Sequence, residues 1–225
     1  GVDTNYVYFT DEANTALAFV SLDKSGERSF SFYRKPSADM FLSKDDVKNI
    51  TFDKTDVLHF GSVDLIDAPV KKAHDALIKQ ARKDGAIISF DPNLRYSLWK
   101  DRKSLLDTVK EYIPLADILK VSDEELLDIT GIEIEKTAVK TMFCGRVKLV
   151  IVTKGSKGAT AYTQNAEVFA PSVKVEKPVD TTGAGDSFMG ATLYQLIKNG
   201  CDFSAEELKK ILVYSNKTAG YVVGG

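Results

Sequence analysis

Cysteine is scarce in this chain: Cys144 and Cys201 are the only two in 225 residues. That argues against a secreted, disulfide-held domain. A reducing, cytoplasmic compartment is the expectation, with both thiols read as ordinary small hydrophobes. Charge of one sign is also missing, since 30 Lys and Arg stand against 32 Asp and Glu, for a formal net charge of −2. No basic block marks a nucleic-acid surface, so phosphate binding has to be local rather than the property of a patch. No hydrophobic run is long enough to span a bilayer, and no membrane partner is expected. Internal repeats, low-complexity segments and the Gly-Lys-Ser/Thr of a Walker A loop are all absent. His59 and His74 have no partner motif and read as structural. What is present suits one α/β domain with a real core: 44% of residues are hydrophobic.

The most informative segment is Asp180-Thr181-Thr182-Gly183-Ala184-Gly185-Asp186-Ser187-Phe188. Met189, Leu193, Leu196 and Ile197 follow at helical spacing, and Asn199-Gly200 ends the pattern as a C-cap does. Gly183, Ala184 and Gly185 therefore open a helix. Bare amides and the positive dipole end there attract anions, phosphate above all. Asp186 is odd in such a cradle unless it has a task, and a general base for an incoming hydroxyl is the obvious one. Anion hole plus base is the equipment of phosphoryl transfer to an alcohol. A Gly-rich turn with an acidic first turn fits these few residues equally well.

Upstream, Thr15–Leu22 and Ser29–Tyr33 are β-rich, with Asp23 to Glu27 as a turn between them. The alternation in Ser29-Phe30-Ser31-Phe32-Tyr33 predicts a half-buried strand, hence a hairpin with one wet face. Phe19, Phe30 and Phe32 read as core more readily than as a ligand platform. From residue 55 the pattern becomes β-α-β. Strands are predicted at Val57–Phe60, Ala86–Phe90, Ile118–Val121 and Leu149–Thr153. A smaller hairpin is expected from Ala159–Thr163 and Glu167–Ala170. Helices are predicted from Pro69 to Gly85, through Leu105 to Ile113, over Asp123–Thr130, and at 133–144, 184–199 and 204–221. Such alternation implies a mostly parallel sheet covered on both faces.

Ligands of such sheets bind beyond the carboxyl ends of strands. Here those ends carry Gly61-Ser62, Asp91-Pro92-Asn93-Leu94-Arg95, Ser122-Asp123-Glu124-Glu125 and Thr153 to Gly158. Each has a plain reading by itself: Asp91-Pro92-Asn93 is a good turn, Ser122-x-x-Glu125 has capping-box spacing, and Thr153–Gly158 can simply turn a hairpin. Their convergence on one rim is what points to a site.

Val179 to Ala191, VDTTGAGDSFMGA, resembles the C-terminal signature of the ribokinase-like (phosphofructokinase-B) sugar kinases. DPNLRYSLW at 91–99 and FYRKPSAD at 32–39 resemble the fructokinase and 2-keto-3-deoxygluconate kinase branch. The resemblance implies a ribokinase-like three-layer α/β sandwich, with residues 10–35 in a β-lid and 55–225 in the core that carries the nucleotide site. It implies an ATP-dependent sugar kinase, fructokinase foremost, with a 2-keto-3-deoxygluconate kinase as rival. A non-catalytic sugar or nucleotide sensor is the alternative outside enzymes. Asp186 is then the catalytic base, and Gly183, Ala184 and Gly185 form the anion hole. Arg34 and Arg95 lie near the sugar or the transferred phosphate. The family's Asn-x-x-Glu, linked to Mg²⁺ and phosphate, falls on Ser122-x-x-Glu125, with Ser in place of Asn. Thr153, Gly155 and Gly158 match the contacts to nucleotide phosphates and ribose, and Asn216 a residue beside the adenine. Asp180 and Thr182 match ligands of an activating K⁺ in relatives that have one. In ribokinase the lids also pair two subunits, so a homodimer through the lid is expected. The family pattern extends beyond both ends of residues 1–225, so this chain by itself is expected to hold nucleotide but not to phosphorylate sugar usefully.

Overall fold

The computed structural model describes residues 1–22, 28–176 and 179–224. Its strands are β1 (Leu17–Leu22), β2 (Arg28–Tyr33), β3 (Val57–Phe60), β4 (Ile87–Phe90), β5 (Ile118–Ser122), β6 (Leu149–Thr153), β7 (Ala159–Tyr162) and β8 (Glu167–Ala170). Its helices are α1 (Pro69–Asp84), α2 (Arg102–Tyr112), α3 (Asp123–Thr130), α4 (Glu135–Met142), α5 (Ala184–Lys198) and α6 (Ala205–Gly224). Local signals account for many of these bounds. Pro69 occupies the first turn of α1, where its missing N–H costs nothing, and Gly85 closes that helix at φ 85°. The capping box forecast at α3 is present in full, with Ser122 and Glu125 satisfying each other's backbone amides.

Six strands form the central sheet in chain order, β3-β4-β5-β6-β7-β8. The first four run parallel, while β7 and β8 return antiparallel. Right-handed crossovers between successive parallel neighbours put their helices on one face. There Ile78 of α1, Val109 of α2, Leu126 of α3 and Val139 of α4 bury against Phe90, Leu119 and Val150. On the other face Phe188 and Met189 of α5, with Ile211 and Leu212 of α6, cover Ile118, Leu149 and Ile151. Consecutive residues of β6 thus enter opposite cores. A strand buried on both faces has to be apolar throughout, and Leu149-Val150-Ile151-Val152 is.

The front hairpin departs from expectation. β1 and β2 pair antiparallel, Leu17 opposite Tyr33 and Phe19 opposite Ser31. Among the described side chains neither face is fully buried, however: Phe19 is 55% exposed, Leu17, Val20 and Tyr33 are exposed as well, and Phe32 is half-buried. Phe19 is therefore not core. It packs edge-on to Tyr33, with 5.9 Å between ring centroids. Alternation predicts which residues share a face but not whether anything covers that face. The turn expected at Asp23–Glu27 lies outside the described residues. A second correction concerns Cys144, which is exposed rather than an ordinary buried hydrophobe. Both histidines have partners within the fold: His74 Nδ1 lies 2.9 Å from Val70 O one helical turn away, and His59 Nδ1 lies 3.0 Å from Ser89 Oγ on the neighbouring strand.

Candidate active site

Four structural features meet beyond the carboxyl ends of β4, β5 and β6. In the β5–β6 register Ser122 stands opposite Thr153, so the ends of these two strands are side by side. After Thr153 a tight 3₁₀ turn over Gly155–Lys157 leads back into β7, closed by Lys154 N–H donating to Gly158 O at 2.8 Å. α5 begins nearby. Gly183 is its N-cap at φ 78°, and no side chain caps it. The Ala184 N–H donates to Thr181 O at 3.2 Å and that of Ser187 to Gly183 O at 2.8 Å. Of the amides expected to form the anion hole, that of Ala184 is thus engaged, while those of Gly183 and Gly185, with the Asp186 amide after them, have no acceptor among the described residues. Asp186 is exposed in this first turn, its carboxylate on the dipole's positive end.

Between these elements lies a cavity of about 560 Å³. Thr153, Gly155 and Gly158 line one wall, and Thr181, Ala184, Gly185 and Phe188 another. Asn216, Ala219, Gly220 and Val223 of α6 close it. A slot of this size with apolar walls and a polar, amide-rich end suits a base, a ribose and a phosphate tail. Thr153, Gly155, Gly158 and Asn216, expected to touch nucleotide, are thereby brought together, whereas Ser122, expected with them, does not line the cavity; Asn216 needs one refinement. Asn216 is buried, and its Nδ2 donates to Ala170 O at 3.0 Å and Pro171 O at 3.1 Å. It ties α6 to the end of β8 as well as lining the cavity. Asn216→Asp removes both donors and sets a carboxylate against two carbonyls. We expect a loss of about 2–4 kcal/mol of stability, read in urea unfolding, together with weaker ADP binding by calorimetry. Unchanged unfolding would rule out the tether.

Glu125 already has work. Its Oε1 accepts from Leu94 N–H at 2.7 Å and its Oε2 from Ser122 N–H at 2.9 Å, while Ser122 Oγ accepts from Glu125 N–H at 3.0 Å. Each carboxylate oxygen retains a lone pair. A Mg²⁺ ion that keeps most of its waters fits such a partner, whereas a closed all-protein cage does not. Among the described residues no three His, Cys, Asp or Glu converge as a metal cage. Asp180 Oδ1 accepts from Thr182 N–H at 2.6 Å, and both residues are exposed beside the cavity.

The two arginines differ. Arg95 is half-buried on the segment that follows β4, and its Nη1 is 3.4 Å from Leu94 O. Arg34 is buried at the foot of the hairpin. Its Nε donates to Asp39 at 2.7 Å, its Nη1 to Val63 O at 2.8 Å, and its Nη2 to both Asp39 and Asp64. Burial raises the Asp39 carboxyl, but hydrogen bonds from Ser37 and Arg34 outweigh this and hold it below its usual range. Asp64 goes the other way, with burial outweighing Arg34. Arg34 thus has two carboxylates around it.

One group escaped sequence reasoning. Lys120 stands in the middle of buried β5, on the α5 face, and its Nζ donates to Asp91 Oδ2 at 2.9 Å. Both are buried. Burial pushes the Asp91 carboxyl up to about 6 against the pull of Lys120, and the charges of Glu125 and Asp186 push the same way. A lone charge in an otherwise apolar run, Ile118-Leu119-Lys120-Val121, was the available signal.

The chain is similar in sequence and fold to known proteins. The profile described as pfkB family carbohydrate kinase matches residues 1–225. The chain is 43% identical over 218 residues to probable fructokinase-5 of Arabidopsis thaliana, which spans 96% of this chain and 67% of that protein. It therefore extends over about two thirds of that plant relative. A solved fructokinase from Vibrio cholerae O395, with fructose, ADP and calcium bound, superposes with a TM-score of 0.87 at 36% identity, over 100% of this chain and 72% of that one. Aminoimidazole riboside kinase from Salmonella enterica, complexed with its riboside and an ATP analogue, gives 0.86 at 26% identity, again over 100% and 72%.

Proposed function

Because this chain belongs to the pfkB family of carbohydrate kinases, we propose that it carries the catalytic centre of an ATP-dependent fructokinase. The observation that carries this reading is Asp186, a carboxylate in the first turn of α5 beside open amides and a nucleotide-sized cavity. Asp186 takes the proton from a sugar hydroxyl while that oxygen attacks the γ-phosphoryl of ATP and the bond to ADP breaks. The Gly185 and Asp186 amides hold the charge that spreads over the phosphoryl oxygens. Mg²⁺, when bound, neutralises charge on the phosphates; Glu125, with Ser122 beside it, would hold it through water. Asp180 and Thr182 are the proposed K⁺ ligands. Arg95 stays as a sugar- or phosphate-facing cation. A sensor on this fold needs no carboxylate in its anion cradle, which favours the enzyme.

Fructose is preferred over 2-keto-3-deoxygluconate on charge. A substrate carboxylate needs uncommitted cations, and of the two arginines proposed near the sugar Arg34 is already balanced by Asp39 and Asp64, which leaves Arg95 alone. The relative and structural neighbour named as fructokinases support the same choice. The exposed hairpin is the proposed lid, closing over sugar to exclude water, and pairing of two lids the proposed dimer contact. Cys144 and Cys201 are free thiols, in keeping with a reducing cytoplasm. No helix among the described residues is long and apolar enough to cross a membrane. In a coupled ADP-release assay on the complete protein we expect kcat/KM for fructose to exceed that for 2-keto-3-deoxygluconate by at least about tenfold, the size of one unmet charge contact. The reverse order replaces fructose with its rival.

A further inference from the structure

Strand β5 keeps a charge where its neighbours are apolar. Lys120 faces α5, and a methyl group placed on Gly185 would stand 3.5 Å from its Nζ. The ammonium therefore lies against the first turn of α5, beside the amides of Gly185 and Asp186. An ammonium carries three donors. One goes to Asp91 Oδ2 at 2.9 Å, and among the described residues no other acceptor takes the remaining two. Its counter-ion is equally unfinished: Asp91 Oδ1 is buried without a partner among the described residues. A buried ion pair with donors and an acceptor left over is expensive unless something else completes it. Packing alone does not explain it, because Ile151 fills the equivalent place beside it on β6 with an apolar side chain.

The neighbourhood is electrostatically connected to the base. Asp186 raises the Asp91 carboxyl, and it raises the His59 imidazole, which burial and Lys120 lower. His59 is in turn hydrogen-bonded to buried Ser89 on the same face of the sheet. A fixed positive charge thus sits directly under the amides proposed to hold the phosphoryl group, where the surrounding protein weakens solvent screening.

We propose that the Asp91–Lys120 pair is part of the phosphoryl-transfer machinery: Lys120 supplies fixed positive charge beneath the α5 amides to the transferring phosphoryl group, and Asp91 positions it. This rests on the kinase reading above. The pair acts on the charge of the transition state rather than on binding of the ground state.

Lys120→Met, Asp91→Asn and the double variant D91N/K120M, made in the full chain, test this. Either single variant strands one buried charge, so its Tm falls; the double variant, with both charges gone, regains much of that loss. We expect kcat of the double variant to stay about 10²-fold below the parent although its fold is restored, with KM for ATP nearly unchanged. A double variant that turns over within about threefold of the parent would make the pair merely structural. The second measurement needs no sugar. Affinity for ADP with aluminium fluoride, a mimic of the phosphoryl group in flight, should fall by at least about tenfold in the double variant, while affinity for ADP alone holds. Equal loss for both ligands overturns the proposal. A parent protein that phosphorylates no fructose would instead fail the substrate reading, and the fluoride comparison would still decide the pair.

Discussion

Asp186→Asn in the complete protein should lower kcat by about 10²–10⁴-fold while leaving ATP affinity close to that of the parent. The change is nearly isosteric, so α5 and its cap are preserved. The carboxamide removes a negative charge from an anion cradle, which can only help ground-state phosphate binding. What it cannot do is accept the hydroxyl proton. The loss corresponds to about 3–5 kcal/mol of barrier, and it should fall on kcat rather than on KM. Steady-state kinetics with fructose, beside calorimetric ADP titration, separates the two. A loss of less than about tenfold would falsify the role of base, and Asp186 would then be a dipole-matched residue of the first turn.

Gly158→Ala should be as damaging, for a different reason. Gly158 stands at φ 113°, and a Cβ there would lie 2.2 Å from Ala170 O and 2.7 Å from Ser172 N. Both are backbone atoms of the strand end that Asn216 also grips, so neither can swing aside. Strain in the left-handed region and overpacking together predict a loss of about 2–6 kcal/mol, or roughly 10 °C in Tm for a domain of this size. Gly155 is the control. It too has a positive φ, 52°, but nothing lies within 4 Å of a Cβ there. Gly155→Ala should cost only about 1–2 kcal/mol, and its effect should appear in nucleotide affinity. Thermal melts of the two variants within about 2 °C of each other would sink this distinction. Both glycines belong to the motif that suggested phosphate contact, yet Gly158 is required first by the chain's own close approach.

That pair shows how far the sequence could be read. Strands β3 and β6 and helix α3 fall on their expected residues because their signals are local: an apolar run of strand length, or a cap three residues from its partner. The rim of Ser122, Thr153 and Gly183 was legible because a β-α-β pattern places strand ends together. Long-range polar pairings were not. Asp64 reaches Arg34 across 30 residues and Asp91 reaches Lys120 across 29, and no periodicity marks either partner. Lys120 was hidden because a strand pattern absorbs one polar residue as noise. For the hairpin, alternation sorts Phe19 and Val20 onto opposite faces, but exposure depends on what stands opposite, which the pattern does not contain.

Every wall of the cavity proposed for nucleotide comes from residues between Thr153 and Val223. The residues proposed to face sugar, Arg34 and Arg95, precede that stretch, and so does the Asp91–Lys120 pair. The cavity walls and the two arginines are therefore separate along the chain, with Glu125 and Lys120, proposed to serve the phosphates, standing between them. Substitution or insertion around Arg34 and Arg95 can change the side proposed to face sugar without touching the walls of that cavity. A fold divided in this way can diversify its substrates while its energy source stays constant.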